Sequence, residues 1–217
     1  MKDGITPAKD TEPGSTRLVA TLGFAGLLSG LIIVSVFEAT LPTITEYKAK
    51  VLQQAVFKVL PGISSMQPLA YSNGKLAAAG GDEAEEDRIF GGYDANGMLV
   101  GYAIPSAGPG FQDTIRLLYG YLPQERKVVG MEILQSRETP GLGDKIYKDA
   151  DFVASFNDLS ADPQIITVKK GKGSAANEVD AITGATISSK AVVQIINRGN
   201  QRWNPRFDVS PLPAGAE

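Results

Sequence analysis

Residues 114–136 read TIRLLYGYLPQERKVVGMEILQS. Two stretches in which apolar and polar residues alternate flank Pro123-Gln124-Glu125-Arg126, the pattern of a β-hairpin. Upstream, IFGGY at 89–93 and MLVGYAIP at 98–105 enclose Asp94-Ala95-Asn96-Gly97, a second hairpin with an Asn-Gly turn. Downstream, IITVKKG at 165–171 is a further strand candidate, and short helices are expected over Asp149 to Asn157 and Ser188 to Arg202. No repeat of fixed period is present. The fold class that follows is α+β, a mostly antiparallel sheet with flanking helices.

The N-terminal part has a different character. Residues 1–17 are polar, carry mixed charge and contain Gly and Pro, as a flexible tail does. From Leu18 to Phe37 the chain runs LVATLGFAGLLSGLIIVSVF without a charge. At a rise of 1.5 Å per residue a helix of that length spans roughly 30 Å, the hydrocarbon thickness of a bilayer. The run is longer than the apolar core of a signal peptide, and no small-x-small cleavage site follows it, so a retained transmembrane helix is expected. Gly26 and Gly30 form a GxxxG, which either admits a neighbouring helix or reflects how common glycine is in membrane helices. The charge bias across the span is slight; the expected arrangement is a cytoplasmic tail at 1–17, the span at 18–37 and an extracytoplasmic domain at 38–217. Ile44 to Leu60 has amphipathic helical spacing ended by Pro61-Gly62, and residues 72–87, rich in Gly, Ala and acids, read as a solvated loop.

Composition removes much chemistry. The 217 residues include no histidine and no cysteine. Cys-ligated clusters, disulfides, Ser-His-Asp triads and His-ligated haem are thereby excluded. Neither a metal site nor an acid–base catalyst for a diffusible substrate is proposed. A formal charge of −3 argues against a nucleic-acid partner. Redox chemistry in such a chain has to come from an organic cofactor.

Two segments carry candidate chemistry. Asp180-Ala181-Ile182-Thr183-Gly184-Ala185-Thr186 runs into Ile187-Ser188-Ser189-Lys190 and a helix. The small residues Gly184 and Ala185 leave the Thr186 hydroxyl approachable. Backbone N–H groups at the helix start, with the Ser188 and Ser189 hydroxyls, suit a phosphate. From spacing alone, capping of the helix by Thr186 or Ser188 is the preferred reading, and it needs no ligand. The second segment, Ser136-Arg137-Glu138-Thr139-Pro140-Gly141-Leu142-Gly143-Asp144-Lys145, is a rigid loop in which Pro140 fixes φ and the glycines permit close backbone approach.

Together, D-A-I-T-G-A-T and E-T-P-G-L-G-D-K resemble the FMN-binding domain of the membrane redox complexes Rnf and sodium-pumping NADH:quinone oxidoreductase. With one span in front, the resemblance covers nearly the whole chain and is to the G subunits of Rnf complexes. It implies that Thr186 is esterified to the FMN phosphate by a separate flavin transferase, which moves FMN from FAD and releases AMP. It implies that Glu138 and Thr139 offer hydrogen bonds to the flavin edge, Leu142 packs near the ring and Gly143 presents its backbone. Lys145 would favour a reduced anionic ring, and Thr183, Gly184, Ala185, Ser188 and Ser189 would surround the attachment. It further implies a bacterial inner-membrane protein with its domain on the periplasmic side, relaying electrons between ferredoxin and NAD beside the other subunits of an ion-translocating complex. The rival expectations are a non-redox anchoring or assembly subunit and the equivalent subunit of the quinone-reducing pump. The chain departs from the family pattern at Asp180-Ala181, often Asp-Gly, and at Gly108-Pro109-Gly110-Phe111, often Gly-Tyr-Gly-Gly.

Overall fold

The computed structural model describes residues 14–72, 74–80 and 87–209. Most of the 1–17 tail and the acidic run at 82–86 lie outside the described residues. Helix α1 spans Ser15–Val59 with Pro42 inside it, so the expected span and the amphipathic 44–60 segment form one continuous helix. Its apolar stretch is long enough to cross a membrane, and none of that stretch is buried. Within it Thr21 and Thr40 donate their hydroxyls to the carbonyls of Arg17 and Val36, each at 2.8 Å, so neither hydroxyl needs a partner from lipid. By contacts the chain divides after Ala49, and the second unit begins at Lys50.

That second unit is built on seven strands, β1 (Ser65–Ser72), β2 (Lys75–Ala78), β3 (Arg88–Tyr93), β4 (Leu99–Pro109), β5 (Thr114–Leu122), β6 (Lys127–Gln135) and β7 (Leu159–Ser160). They form one sheet in the order β2-β1-β3-β4-β5-β6-β7, and every pairing in it is antiparallel. Both hairpins of the sequence are present. The β3–β4 turn is closed by Asp94, whose Oδ1 accepts the N–H groups of Asn96 and Met98 at 2.8 Å. Residues 75–78, expected in a loop, form β2 because their backbone completes the edge of β1. The IITVKKG strand is shorter, β8 (Ile166–Val168), and pairs in parallel with β9 (Glu178–Asp180) in a small second sheet. A one-turn helix that was not expected, α2 (Lys145–Lys148), comes first, and the helix expected at 149–157 is the short α3 (Ala150–Ala154), capped by Asp149. The C-terminal helix α4 runs Thr186–Val209, longer than expected at both ends.

Each face of the sheet has its own cover. On one, Ala55, Val56, Val59 and Leu60 pack with Ala103 and Leu118. On the other, Ile115, Leu117, Tyr119 and Tyr121 meet Ala191, Val192, Ile195, Ile196 and Trp203 of α4. Tyr119 and Tyr121 donate their hydroxyls to Asn200 and Asn204 of α4 at 3.0 and 2.7 Å, which lets bulky rings be buried without orphaning their oxygens. At the far end of α4 the Arg206 guanidinium lies 4.7 Å from the centroids of both Tyr71 and Trp203 and contacts Asp87 at 2.8 Å. That contact, with Arg202 beside it, holds the Asp87 carboxyl below its ordinary pKa.

The first cover depends on missing side chains. Gly120 and Gly130 are cross-strand partners in β5 and β6. A Cβ on Gly130 would sit 2.8 Å from the Val59 carbonyl oxygen and 2.9 Å from its Cα, and one on Gly120 would overlap the same carbonyl. A Cβ on Gly92, which pairs with Gly101, would meet Leu60 and Ile63 at 2.8 Å. The glycines cut a trough in which the end of α1 lies directly on the strands. Gly130→Ala should therefore cost about 1–3 kcal/mol, and Gly120→Ala more. Thermal unfolding of the detergent-solubilised chain, followed by circular dichroism, should order the two variants that way.

Candidate functional site

Two turns of the same kind meet at the start of α4. In Ile182-Thr183-Gly184-Ala185 the Ala185 N–H donates to the Ile182 carbonyl at 3.0 Å, and Gly184 has φ +83°. In Thr139-Pro140-Gly141-Leu142 the Leu142 N–H donates to the Thr139 carbonyl at 3.2 Å, and Gly141 has φ +77°. A glycine with positive φ in third place is the type II signature, with Pro140 fixing the second place of the latter turn. Leu142 stands over Gly184, where a Cβ would lie 3.7 Å from Leu142 Cδ2.

The first turn delivers Thr186 to the first position of α4, exposed. Among the described residues no backbone acceptor is found for the N–H groups of Thr186, Ile187 or Ser188, as helix geometry dictates for a first turn. Thr183 and Gly184 are exposed, and Ala185 is buried. The two serines behind Thr186 are buried and already bonded. Ser189 Oγ accepts the Ile182 N–H at 3.1 Å and donates to the Ala185 carbonyl at 2.9 Å. Ser188 Oγ donates to Glu138 Oε2. A hydroxyl has one proton, so neither serine has one left for a phosphate in this arrangement.

Glu138 is buried, and its Oε1 accepts the N–H groups of Phe111 and Gln112, each at 3.0 Å. Thr139 is half-buried and donates its hydroxyl to Gln112 Oε1 at 2.8 Å. Leu142 is half exposed, Gly143 is buried, and Lys145 opens α2 half-buried. Asp144 is buried, with Lys148 Nζ at 2.5 Å from Oδ2; that contact leads the causes holding its carboxyl below the ordinary value. Sequence reasoning noted Gly108-Pro109-Gly110-Phe111 only as a departure from the family pattern and missed that the 110–113 segment receives the Glu138 carboxylate. Its signal was Gly110, whose absent Cβ leaves room for the Glu138 carboxylate.

The aspartate that opens the Thr186 motif also has a mechanical task. Asp180 Oδ2 accepts the Gly171 N–H at 2.7 Å and Oδ1 the Gly173 N–H at 2.9 Å, tying the Lys169–Gly173 loop to β9. A cavity of about 470 Å³ opens beside it, lined by Asp149, Phe152, Lys170, Glu178, Asp180 and Ile182 among others. Thr186, Glu138 and Leu142 are not in its wall.

The start of α4 thus brings together, on an antiparallel domain, an exposed hydroxyl on the helix's first residue, first-turn amides without a backbone acceptor among the described residues, and a rigid loop beside them. Residues 110–201 match the FMN-binding domain family. In fold the chain is similar to NqrC of Shewanella oneidensis, with a TM-score of 0.59 at 16% identity, covering 75% of this chain and 99% of that one. It is 31% identical over 191 residues to the G subunit of the proton-translocating ferredoxin:NAD(+) oxidoreductase complex of Clostridium ljungdahlii, 86% of this chain and 91% of that protein. It is 32% identical to the corresponding G subunit of the Na(+)-translocating complex of Acetobacterium woodii over 170 residues, 75% and 78% of the two chains. The class is thus a flavin-domain protein behind one apolar helix. The chain belongs to the family of G subunits of ion-translocating oxidoreductase complexes.

Backbone N–H donors hold the Asp180 carboxyl below its ordinary pKa of 3.8, that of Gly171 contributing most. A depressed folded-state pKa gives stability that is complete above the unfolded value and is lost as pH falls through the folded one. Asp180→Asn should accordingly lower the melting temperature at neutral pH, and the gap from wild type should narrow as pH falls below about 4. Melting curves of both chains between neutral and acid pH check it.

Proposed function

We propose that this chain carries FMN as a phosphoester on Thr186 and relays electrons inside an ion-translocating ferredoxin:NAD oxidoreductase complex. The observation that carries the reading is the position of Thr186: exposed, first in α4, behind the small pair Gly184-Ala185. The residues fit the group. Among the described residues the first-turn N–H groups have no backbone acceptor and would be available to phosphate oxygens, and the helix dipole favours negative charge there. FMN, when bound, supplies the redox chemistry that a chain without histidine or cysteine lacks.

Attachment balances as a group transfer from FAD. The Thr186 Oγ–P bond forms, the P–O bond to the adenylate breaks, AMP leaves, and the hydroxyl proton goes to solvent or to a base of the flavin transferase. The chain's own part is to hold Thr186 still and uncrowded. Thr139, Leu142, Gly143 and Lys145 lie on the loop and turn above it, and Thr183, Gly184 and Ala185 form its approach. Glu138, Ser188 and Ser189 belong to the same site from within.

The long apolar helix supports membrane anchoring, and the G-subunit relatives support a place among other membrane subunits. We take residues 1–17 as cytoplasmic, 18–37 as the span and 38–217 as the domain on the periplasmic side of the bacterial inner membrane.

Denatured wild-type chain, co-produced with a flavin transferase, should fluoresce on a gel under ultraviolet light, and Thr186→Ala should be dark while retaining its fold. A fluorescent Thr186→Ala band, or FMN mapped to Thr183, overturns the assignment. Protease added to spheroplasts should digest the domain; complete protection places it on the other side.

A further inference from the structure

Glu138 is 5% exposed, yet it sits in a loop where an exposed carboxylate would keep its hydration. Both of its oxygens are engaged, and all three partners are neutral donors: the N–H groups of Phe111 and Gln112 on Oε1, and the Ser188 hydroxyl on Oε2. These donors come from positions 27, 26 and 50 residues away in the chain. A carboxylate buried without a cation among its partners needs strong hydrogen bonds to offset lost hydration, and those bonds tie together the segments that donate them.

The space around it is cleared on two sides. A Cβ on Gly143 would fall 2.7 Å from Glu138 Oε2 and 2.9 Å from Ser188 Oγ. A Cβ on Gly110 would overlap Oε1 and come within 2.8 Å of the Asp113 carbonyl oxygen and Ile115 Cδ1. Both loops therefore give up a side chain where the carboxylate enters. What the carboxylate grips is the first turn of α4, two residues beyond Thr186.

We infer that Glu138 is a positioning residue: through Ser188 it clamps the start of α4 to the 110–113 and 138–144 loops, and so preforms the Thr186 acceptor before any flavin arrives. This rests on the reading of Thr186 as the FMN acceptor, but the clamp itself is a property of the flavin-free chain. It assigns Glu138 an inward role, acting on the flavin site through another residue instead of touching the ring edge. Its bonds go to the protein. Glu138→Gln would keep most of the clamp, since an amide oxygen accepts the two N–H groups and the amide NH₂ can donate to Ser188 Oγ.

The test uses full-length chain in detergent, without FMN, and reads amide hydrogen exchange by peptide mass spectrometry; flavinylation by purified transferase and FAD is then measured on the same samples. Glu138→Ala should speed exchange of the Phe111, Gln112, Ser189 and Lys190 amides by about tenfold, from the loss of one or more charge-assisted hydrogen bonds, and slow flavinylation by a similar factor. Exchange in β4–β6 should stay as in wild type. Glu138→Gln should restore both toward wild type. If Glu138→Ala fails to fold, Ser188→Ala, which removes one contact, should show the same local change in smaller degree. Wild-type exchange at Phe111, Gln112, Ser189 and Lys190 in the folded variants overturns the clamp, as does acceleration spread evenly over the whole sheet. Wild-type chain that exchanges as expected yet never becomes flavinylated leaves the clamp standing and overturns the Thr186 assignment.

Discussion

The domain depends on a sheet whose central strands are buried on both faces. In β5 the side chains of Ile115, Leu117, Tyr119 and Tyr121 are shielded by α4, while Leu118 faces the end of α1. A strand so placed cannot shed polar groups to water on either side, so each is resolved within the protein. The tyrosine hydroxyls reach asparagines of α4, and the α1 side is packed against bare backbone at Gly120 and Gly130. Each fully buried aliphatic or aromatic side chain contributes roughly 1.5–3 kcal/mol. The site at the start of α4 inherits its rigidity from that two-sided packing.

What could be read from the sequence followed the range of the forces involved. The hairpins are local: Asn96-Gly97 and Pro123 lie within the turns they specify, and both turns form where expected. The apolar run of α1 and the turn before Thr186 are local in the same sense. Strand β2 was not legible, because Lys75–Ala78 has little strand character of its own and is extended by pairing with β1. Strand β9 was hidden for the same reason: its three residues are ordered by β8 and by the Gly171 and Gly173 amides on Asp180. Glycines inside β3–β6 weaken strand propensity, and their purpose emerges only with Val59 and Leu60 lying on them.

The candidate site divides along the same line. Thr186 and its neighbours were legible as a turn with a hydroxyl and small flanking residues, and the Glu138–Lys145 loop as a rigid one. That Glu138 faces inward was not, since its partners are Phe111, Gln112 and Ser188, all distant in the chain. A motif read as a string treats every polar residue as an offer to a ligand. Folded, Ser188, Ser189, Glu138 and Asp180 bind one another's segments, and Thr186 is left outside.

Helix α4 is held at both ends, by Glu138 on Ser188 near its start and by the Tyr71–Arg206–Trp203 sandwich with Asp87 near its finish. On the proposed attachment at Thr186, a flavin mounted on such a beam would change charge while its support stayed put. Little nuclear rearrangement of the protein would then accompany each transfer, which would keep the reorganisation energy small and let electrons move at modest driving force. Rigidity would limit reach: on that reading a neighbouring centre would have to be brought to this helix end by the assembly around it, because a helix held at both ends does not swing out to meet it.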